Sequence, residues 1–456
     1  MEEKLRKRPL ALLLILTVPF LFSSVFISPP VGAGSFNGRR LGMGGVMLSE
    51  YSEAQTRNVS FRAVPRGKVH TSIPLPLGII QVLASPPEFD PDSPDFNPFE
   101  IADLATNFPV FLRIKKPGVL SDDVVMDIAR NRLAIDLGEM SQAVPEESFK
   151  LGGIFDQPEG GLNIRGFFAG ISPLVVAKSD FSLSPSLRDA LREGQDFLPN
   201  TSYSMKEDAE AQAGAALGVG YARQLNAIPG GKREDPRGTD KLAIFAGGRF
   251  KYIMGFAYTK ATPIVSFTTG DTLFGSEPLK IDFESMMTKS LPDGFGVMGN
   301  GTGLDLGVSA FMGGYEAGLG LTNVVTKIKW KADREFDVLE DSTNEVEKYT
   351  IAEDFDYTST VPLLVVLNAA KRWRGNTVAF DIEKGVTRTT FHLGAETSVR
   401  NVAVRTGTWL DGNGKLQFSA GAGFRFWVMG LDMALITSSS VLTGERAVDL
   451  ALSLSL

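Results

Sequence analysis

From Val378 to the C-terminus the sequence alternates with period two. Leu416, Phe418, Ala420, Ala422, Phe424, Phe426 and Val428 fall on one side of an extended chain, and Gln417, Ser419, Gly421, Gly423, Arg425 and Trp427 on the other. Strand side chains point alternately to two faces, so this period specifies a strand with one apolar face and one polar or small face. The pattern recurs. Val378, Phe380 and Ile382 oppose Ala379, Asp381 and Glu383; Phe391, Leu393 and Ala395 oppose His392, Gly394 and Glu396; Val402 and Val404 oppose Ala403 and Arg405; Val448, Leu450, Leu452 and Leu454 oppose Asp449, Ala451, Ser453 and Ser455. Turn chemistry separates these runs, most clearly at Asp411-Gly412-Asn413-Gly414. Strands of about ten residues, apolar outside and polar inside, are the signature of a transmembrane β-barrel. A soluble sandwich or lipocalin-like barrel, apolar face inward, is the rival. Strand length, repetition and ionised residues on the polar face favour the membrane barrel.

Further strands are expected over 68–74, 79–85, 162–172, 174–182, 209–225, 242–257, 303–312 and 315–325. The fold class is therefore all-β: a transmembrane antiparallel barrel of about 14 strands. A loop and helical insert is expected over 86–160, with helical patterns at 99–106 and 121–140, and it would sit over or in one mouth. Ser184-Pro185, followed by Leu187, Leu191 and Gly194, predicts a short capped helix.

The N-terminus reads as a separate object. Lys4, Arg6, Lys7 and Arg8 precede the apolar run Leu10–Ile27, and Val31-Gly32-Ala33 supplies small residues where a signal peptidase cuts. Residues 1–33 are thus expected to be a signal peptide. An uncleaved anchor is the rival, because the run could just span a bilayer; Pro19 and the small-residue end favour cleavage. No later run approaches the roughly 20 apolar residues of a transmembrane helix. Cysteine is absent and histidine is limited to His70 and His392, which excludes disulfides, thiol nucleophiles and Cys-ligated metal, and leaves no cofactor motif. The net charge of −7 disfavours a nucleic-acid partner.

The segment from Asn37 to Glu50 (NGRRLGMGGVMLSE), together with Gly394-Ala395-Glu396, Val404-Arg405-Thr406-Gly407, Gly421-Ala422-Gly423 and Leu431-Asp432-Met433-Ala434, resembles outer-membrane proteins of the long-chain fatty-acid transporter (FadL) superfamily. The PorV/PorQ-like branch, with the conjugal-transfer TraF-like barrels, looks closest. The pieces 247–261 and 318–330 are similar too. The chain departs from the family where Asn58-Val59 replaces the usual Asn-Pro-Ala after GMGG, and where it ends in Leu456 instead of an aromatic residue. The resemblance implies an N-terminal hatch (34–66) inside a barrel (67–456) of the cell outer membrane. It implies either a passive channel for hydrophobic small molecules or a non-transporting barrel that anchors a secreted or surface protein assembly. Outer-membrane lipid is the implied surrounding.

Two groups of site residues follow. Asp381, Glu383, Glu396, Arg405, Arg425 and Asp432 sit on the polar face of successive strands, which lie about 4.8 Å apart, so acids and arginines can pair across the inner wall. Arg39, Arg40, Gly42, Met43, Gly44 and Gly45 form the expected hatch, its arginines placed to meet Asp381, Glu383 or Glu396. No catalytic set emerges. His70 and Ser72 share a strand face without an orienting carboxylate, and Asp90, Asp92 and Asp95 lack the glycine of a calcium loop. An enzyme is not expected.

Overall fold

The computed structural model describes residues 37–65, 72–75, 77–84, 112–115, 125–129, 132–136, 144, 148–156, 160–164, 166–226, 235–271, 279–292, 296–339, 346–410, 416–426, 429–439 and 446–455. The expected signal peptide, the helix at 99–106 and the Asp90 to Asp95 cluster lie outside them.

One antiparallel meander dominates. Its wall strands are β1 (Ser72–Leu75 and Leu112–Lys115), β2 (Ser148–Phe155 and Gly160–Ile164), β3 (Phe167–Leu183), β4 (Ser202–Gln224), β5 (Ala243–Thr269), β6 (Leu279–Ser290 and Gly299–Met312), β7 (Tyr315–Thr322 and Lys327–Leu339), β8 (Val346–Thr360 and Leu364–Trp373), β9 (Asn376–Lys384), β10 (Thr389–Val399), β11 (Val402–Leu410), β12 (Leu416–Phe426), β13 (Met429–Ser439) and β14 (Arg446–Ser455). Pieces given together continue one line: both halves of β6 pair with β5, and both halves of β7 pair with β8. From β2 each strand pairs with the next, and β14 returns to both halves of β1. The fourteen wall strands among the described residues fit the barrel read from the sequence.

The alternation places side chains as read. Phe418, Phe424 and Phe426 are exposed outward while Gln417 and Ser419 are buried. Outward apolar side chains form a belt that includes Phe250, Leu306, Leu319, Leu367, Phe380, Leu393 and Leu431. On β6 it runs from Met312 to Leu304, about 26 Å along the strand and about 20 Å in height at a 40° tilt. Phe167, Tyr221, Tyr315, Trp373 and Phe426 are exposed at one end of this belt, as an aromatic girdle at a membrane interface is. The same end carries two-residue connections at 313–314, 374–375 and 400–401. Most connections at the other end are longer, including the helix Pro185–Glu193, which Ser184 caps and Gly194 (φ +63°) ends. Short turns mark the periplasmic side of such barrels. The wall is uneven: β9–β14 stop after 9 to 11 residues, whereas β4 has 23 and β5 has 27, so β3–β8 rise beyond the belt on the loop side.

Three local expectations need correction. Leu77–Ala84 is a helix, where a strand over 79–85 was expected; a continuous apolar run carries no period that separates the two. Within 121–140, where a helix capped by Ser121 was expected, Val125–Ala129 pairs with Arg132–Asp136 as an antiparallel hairpin; Leu133 and Ile135 alternate with Arg132, Ala134 and Asp136, and runs of five residues fit either period. Within the expected insert over 86–160, Leu112–Lys115 and Ser148–Phe155 belong to the barrel wall.

Candidate functional site

Residues 37–64 lie inside the barrel, almost wholly buried. The segment starts with a one-turn helix, Gly38–Gly42, whose first amides donate to Asn37 Oδ1. Gly44 and Gly45 then turn the chain with φ of +70° and +83°, which glycine adopts without a Cβ penalty. A second helix, Ser52–Arg57, and a 3₁₀ turn, Val59–Ala63, complete it.

Glycine meets glycine where this segment touches the wall. A Cβ on Gly407 would lie 2.2 Å from Gly44 N, one on Gly394 2.2 Å from Met43 O, and one on Gly421 2.9 Å from Gly42 Cα. The glycines of β10, β11 and β12 therefore clear the space that the Gly-Met-Gly-Gly turn fills. Backbone groups fix the contact: Gly44 N donates to Ser419 Oγ at 2.9 Å, Gly38 N to Ser453 Oγ at 2.9 Å, and His392 Nδ1 sits 2.7 Å from Gly44 O.

Charges extend the contact into a continuous chain. Arg405 lies 2.7 Å from Asp432 and 2.6 Å from Glu396. Arg39 holds Glu396 with two bonds of 2.7 and 2.8 Å and reaches Glu50 at 3.4 Å. Arg372 joins Glu50 at 2.7 Å to Glu316 at 2.8 Å, and Ser49 N and Oγ donate to Glu316. Burial disfavours ionisation of Glu50, but Arg372, Arg39 and Arg237 outweigh it and hold its carboxyl below the usual range. Arg57 lies 2.8 Å from Asp156, just past the first half of β2, and 3.8 Å from Glu383 of β9, strands far apart in the ladder, so the sheet has curled around the segment. Arg249 and Lys251 both pair with buried Asp305, and Arg249 also donates to Thr56 O at 3.2 Å.

The expected residues thus occupy distinct places. Glu396, Arg405 and Asp432 stand together with Arg39 between them and the segment. Asp381 is buried and accepts from Met47 N; among the described residues no arginine is bonded to it. Glu383 meets Arg57. Arg40 is buried and turns its Nε onto Gly45 O at 2.8 Å, a backbone carbonyl. Arg425 is the correction: it follows the inward period, yet it is exposed at the end of β12, paired in register with Gly430. Sequence reasoning missed Glu50, Glu316, Arg372, Arg57 and Asp156. Glu316, a lone acid in the Gly- and Ala-rich run of β7, is the one that period-two counting could have found.

Toward the loops the lumen changes character. Leu174, Val176, Ile253, Tyr258, Ile328, Trp330 and Leu364 form one buried apolar cluster, with Val386 packed against it. Trp330 covers Gly255 and Gly299 and donates to Ser359 Oγ at 2.8 Å; its ring lies 5.4 Å from that of Tyr258.

No protein-family model and no curated protein matches the chain. Among solved structures, it is similar to the Ralstonia pickettii toluene transporter TbuX (13% identity, 69% of this chain and 90% of that one, TM-score 0.29). It is also similar to a TodX deletion mutant, a monoaromatic hydrocarbon channel (10%, 68% and 90%, TM-score 0.24), and to a substituted Rh. blastica porin (10%, 54% and 100%, TM-score 0.20). At this identity the likeness carries no residue-by-residue correspondence.

Proposed function

We propose that the chain is an outer-membrane, FadL-like barrel that passively admits hydrophobic small molecules, with residues 37–64 as its hatch. The observation that carries this reading is the apolar layer around Trp330 and Tyr258, placed in the lumen directly on the loop side of the hatch. A channel for ions or sugars presents a polar, water-filled bore. Here the inner face carries packed aromatic and aliphatic side chains with a few hydroxyl and amide groups (Ser359, Gln212 and Tyr357) among them, a lining suited to a hydrophobic guest. Arg39, Glu50 and Arg57 of the hatch each have an ionic partner, so moving the segment requires several buried pairs to separate together. Uptake of a labelled monoaromatic hydrocarbon by cells making the protein tests the reading, with a saccharide of similar size as control. Faster hydrocarbon uptake and unchanged saccharide uptake are expected. Saccharide passage, or hydrocarbon uptake equal to that of cells without the protein, overturns it.

A further inference from the structure

The outward face of the wall changes polarity abruptly on β6, β7 and β8. Going toward the loops, β6 presents Val308, Leu306 and Leu304, then Thr302 and Asn300. On β7, Leu319, Leu321 and Val325 give way to Lys327, Lys329 and Lys331; on β8, Leu367 and Leu363 give way to Thr360, Thr358 and Asp356. The three lysines are exposed, while Ile328 and Trp330 between them and Ala332 after them are buried at 1, 2 and 2%. The lysines therefore form a row on the outer surface at about 7 Å intervals. Register sets Lys327 between Thr302 and Thr360, and Lys329 between Asn300 and Thr358. Lys331 shares Asp356 at 3.0 Å. Among the described residues Lys327 and Lys329 have no acidic partner, and the next acids on this face are engaged: Asp333 accepts from Asp354 N and Glu335 pairs with Lys289.

We propose that this face binds the phosphate-bearing headgroups of lipids in the outer leaflet, with Lys327 and Lys329 as the charge contacts and Thr302, Asn300, Thr358 and Thr360 as flanking hydrogen-bond donors. The inference rests on the apolar belt being the membrane-facing surface. Three features point to a lipid. The row begins where the belt ends, at headgroup depth. It points away from the lumen, where a transported solute would pass. Two of its three ammonium groups, those of Lys327 and Lys329, have no acidic partner among the described residues, on a chain that is acidic overall. Cations at an anionic membrane surface each contribute roughly a fivefold preference, and two of them about thirtyfold.

The test uses the whole protein in a neutral detergent, loaded with phosphatidylglycerol or phosphatidylcholine and passed through gel filtration, with retained lipid counted by mass spectrometry. Phosphatidylglycerol should be retained preferentially. The double variant Lys327→Gln/Lys329→Gln should lose about thirtyfold of that preference, whereas Lys384→Gln should not change it. Heat-modifiable gel mobility verifies that both variants are folded. Equal retention of the two lipids, or an unaltered preference in the double variant, overturns the proposal. So does competition by millimolar inorganic phosphate equal to that of the lipid, which would make the row a site for free phosphate. Hydrocarbon uptake by cells making the double variant is expected to be unchanged, and failure of uptake in the unaltered protein counts against the transport reading alone.

Discussion

Arg405 is held between Glu396 and Asp432 with 2% of its side chain exposed. Removing it leaves Asp432 without its ionic partner while Glu396 keeps Arg39, and breaking a buried pair in this way costs about 3–5 kcal/mol. Arg405→Ala is therefore expected to lower the unfolding midpoint in urea strongly. Arg425→Ala, exposed at a strand end, should stay within about 0.5 kcal/mol of the parent. The pair separates two things that the sequence holds together. Both arginines have inward parity, and period two tells which side of the wall a residue takes but not its height along the barrel, which decides whether the hatch covers it. Glu50 gives a pH dependence. Its folded carboxyl releases its proton more readily than the ordinary glutamate, near 4.3, so its contribution is complete above that value and is lost as pH falls through the lower folded one. Acid unfolding should steepen below about pH 4, and Glu50→Gln should flatten that limb.

Strand β12 carries the clearest alternation, and its outward Phe424 tests the belt. An arginine there should cost about 2–4 kcal/mol if the residue sits near the bilayer midplane. Phe424→Arg is accordingly expected to shift the folding midpoint of barrel insertion into vesicles, whereas a lumen-facing change such as Gln417→Ser should have a much smaller effect. A null result for Phe424→Arg would move the belt away from lipid. Elements of this kind were legible because strand pairing and lipid exposure impose the same period. The Leu77–Ala84 helix and the hairpin at 125–136 were not, since their runs satisfy either period over a few residues. The hatch was legible as glycines and arginines. Its fit to Gly394, Gly407 and Gly421 was not, because backbone clearance between residues hundreds of positions apart leaves no local pattern. Gly407→Val should press on Gly44 and expel the hatch, which limited proteolysis of the folded barrel would reveal as new cleavage between residues 37 and 64.

The whole molecule has two unlike ends and two unlike sides. In the proposed outer-membrane barrel, short turns toward the periplasm put the crest of β7 and β8 outward from the cell. The chain has no cysteine, so a single introduced thiol reports without background. Asp356→Cys should react with a membrane-impermeant maleimide on intact cells, and Asn401→Cys, at the β10–β11 turn, should react only after the outer membrane is opened. The reverse labelling would invert the barrel. The bond between Gly38 and Ser453 adds a demand of a different kind, because it joins residues 415 positions apart. The start of this segment gets its partners last: Glu396, Ser419 and Ser453 all lie on strands made after most of the wall. Contacts of such sequence separation are slow to form. During biogenesis residues 38–44 must stay without these partners until synthesis and insertion near completion. A chain truncated before β14 would thus present both an unpaired sheet edge and an unhoused, arginine-bearing peptide, which gives quality-control proteases two signals of an unfinished barrel.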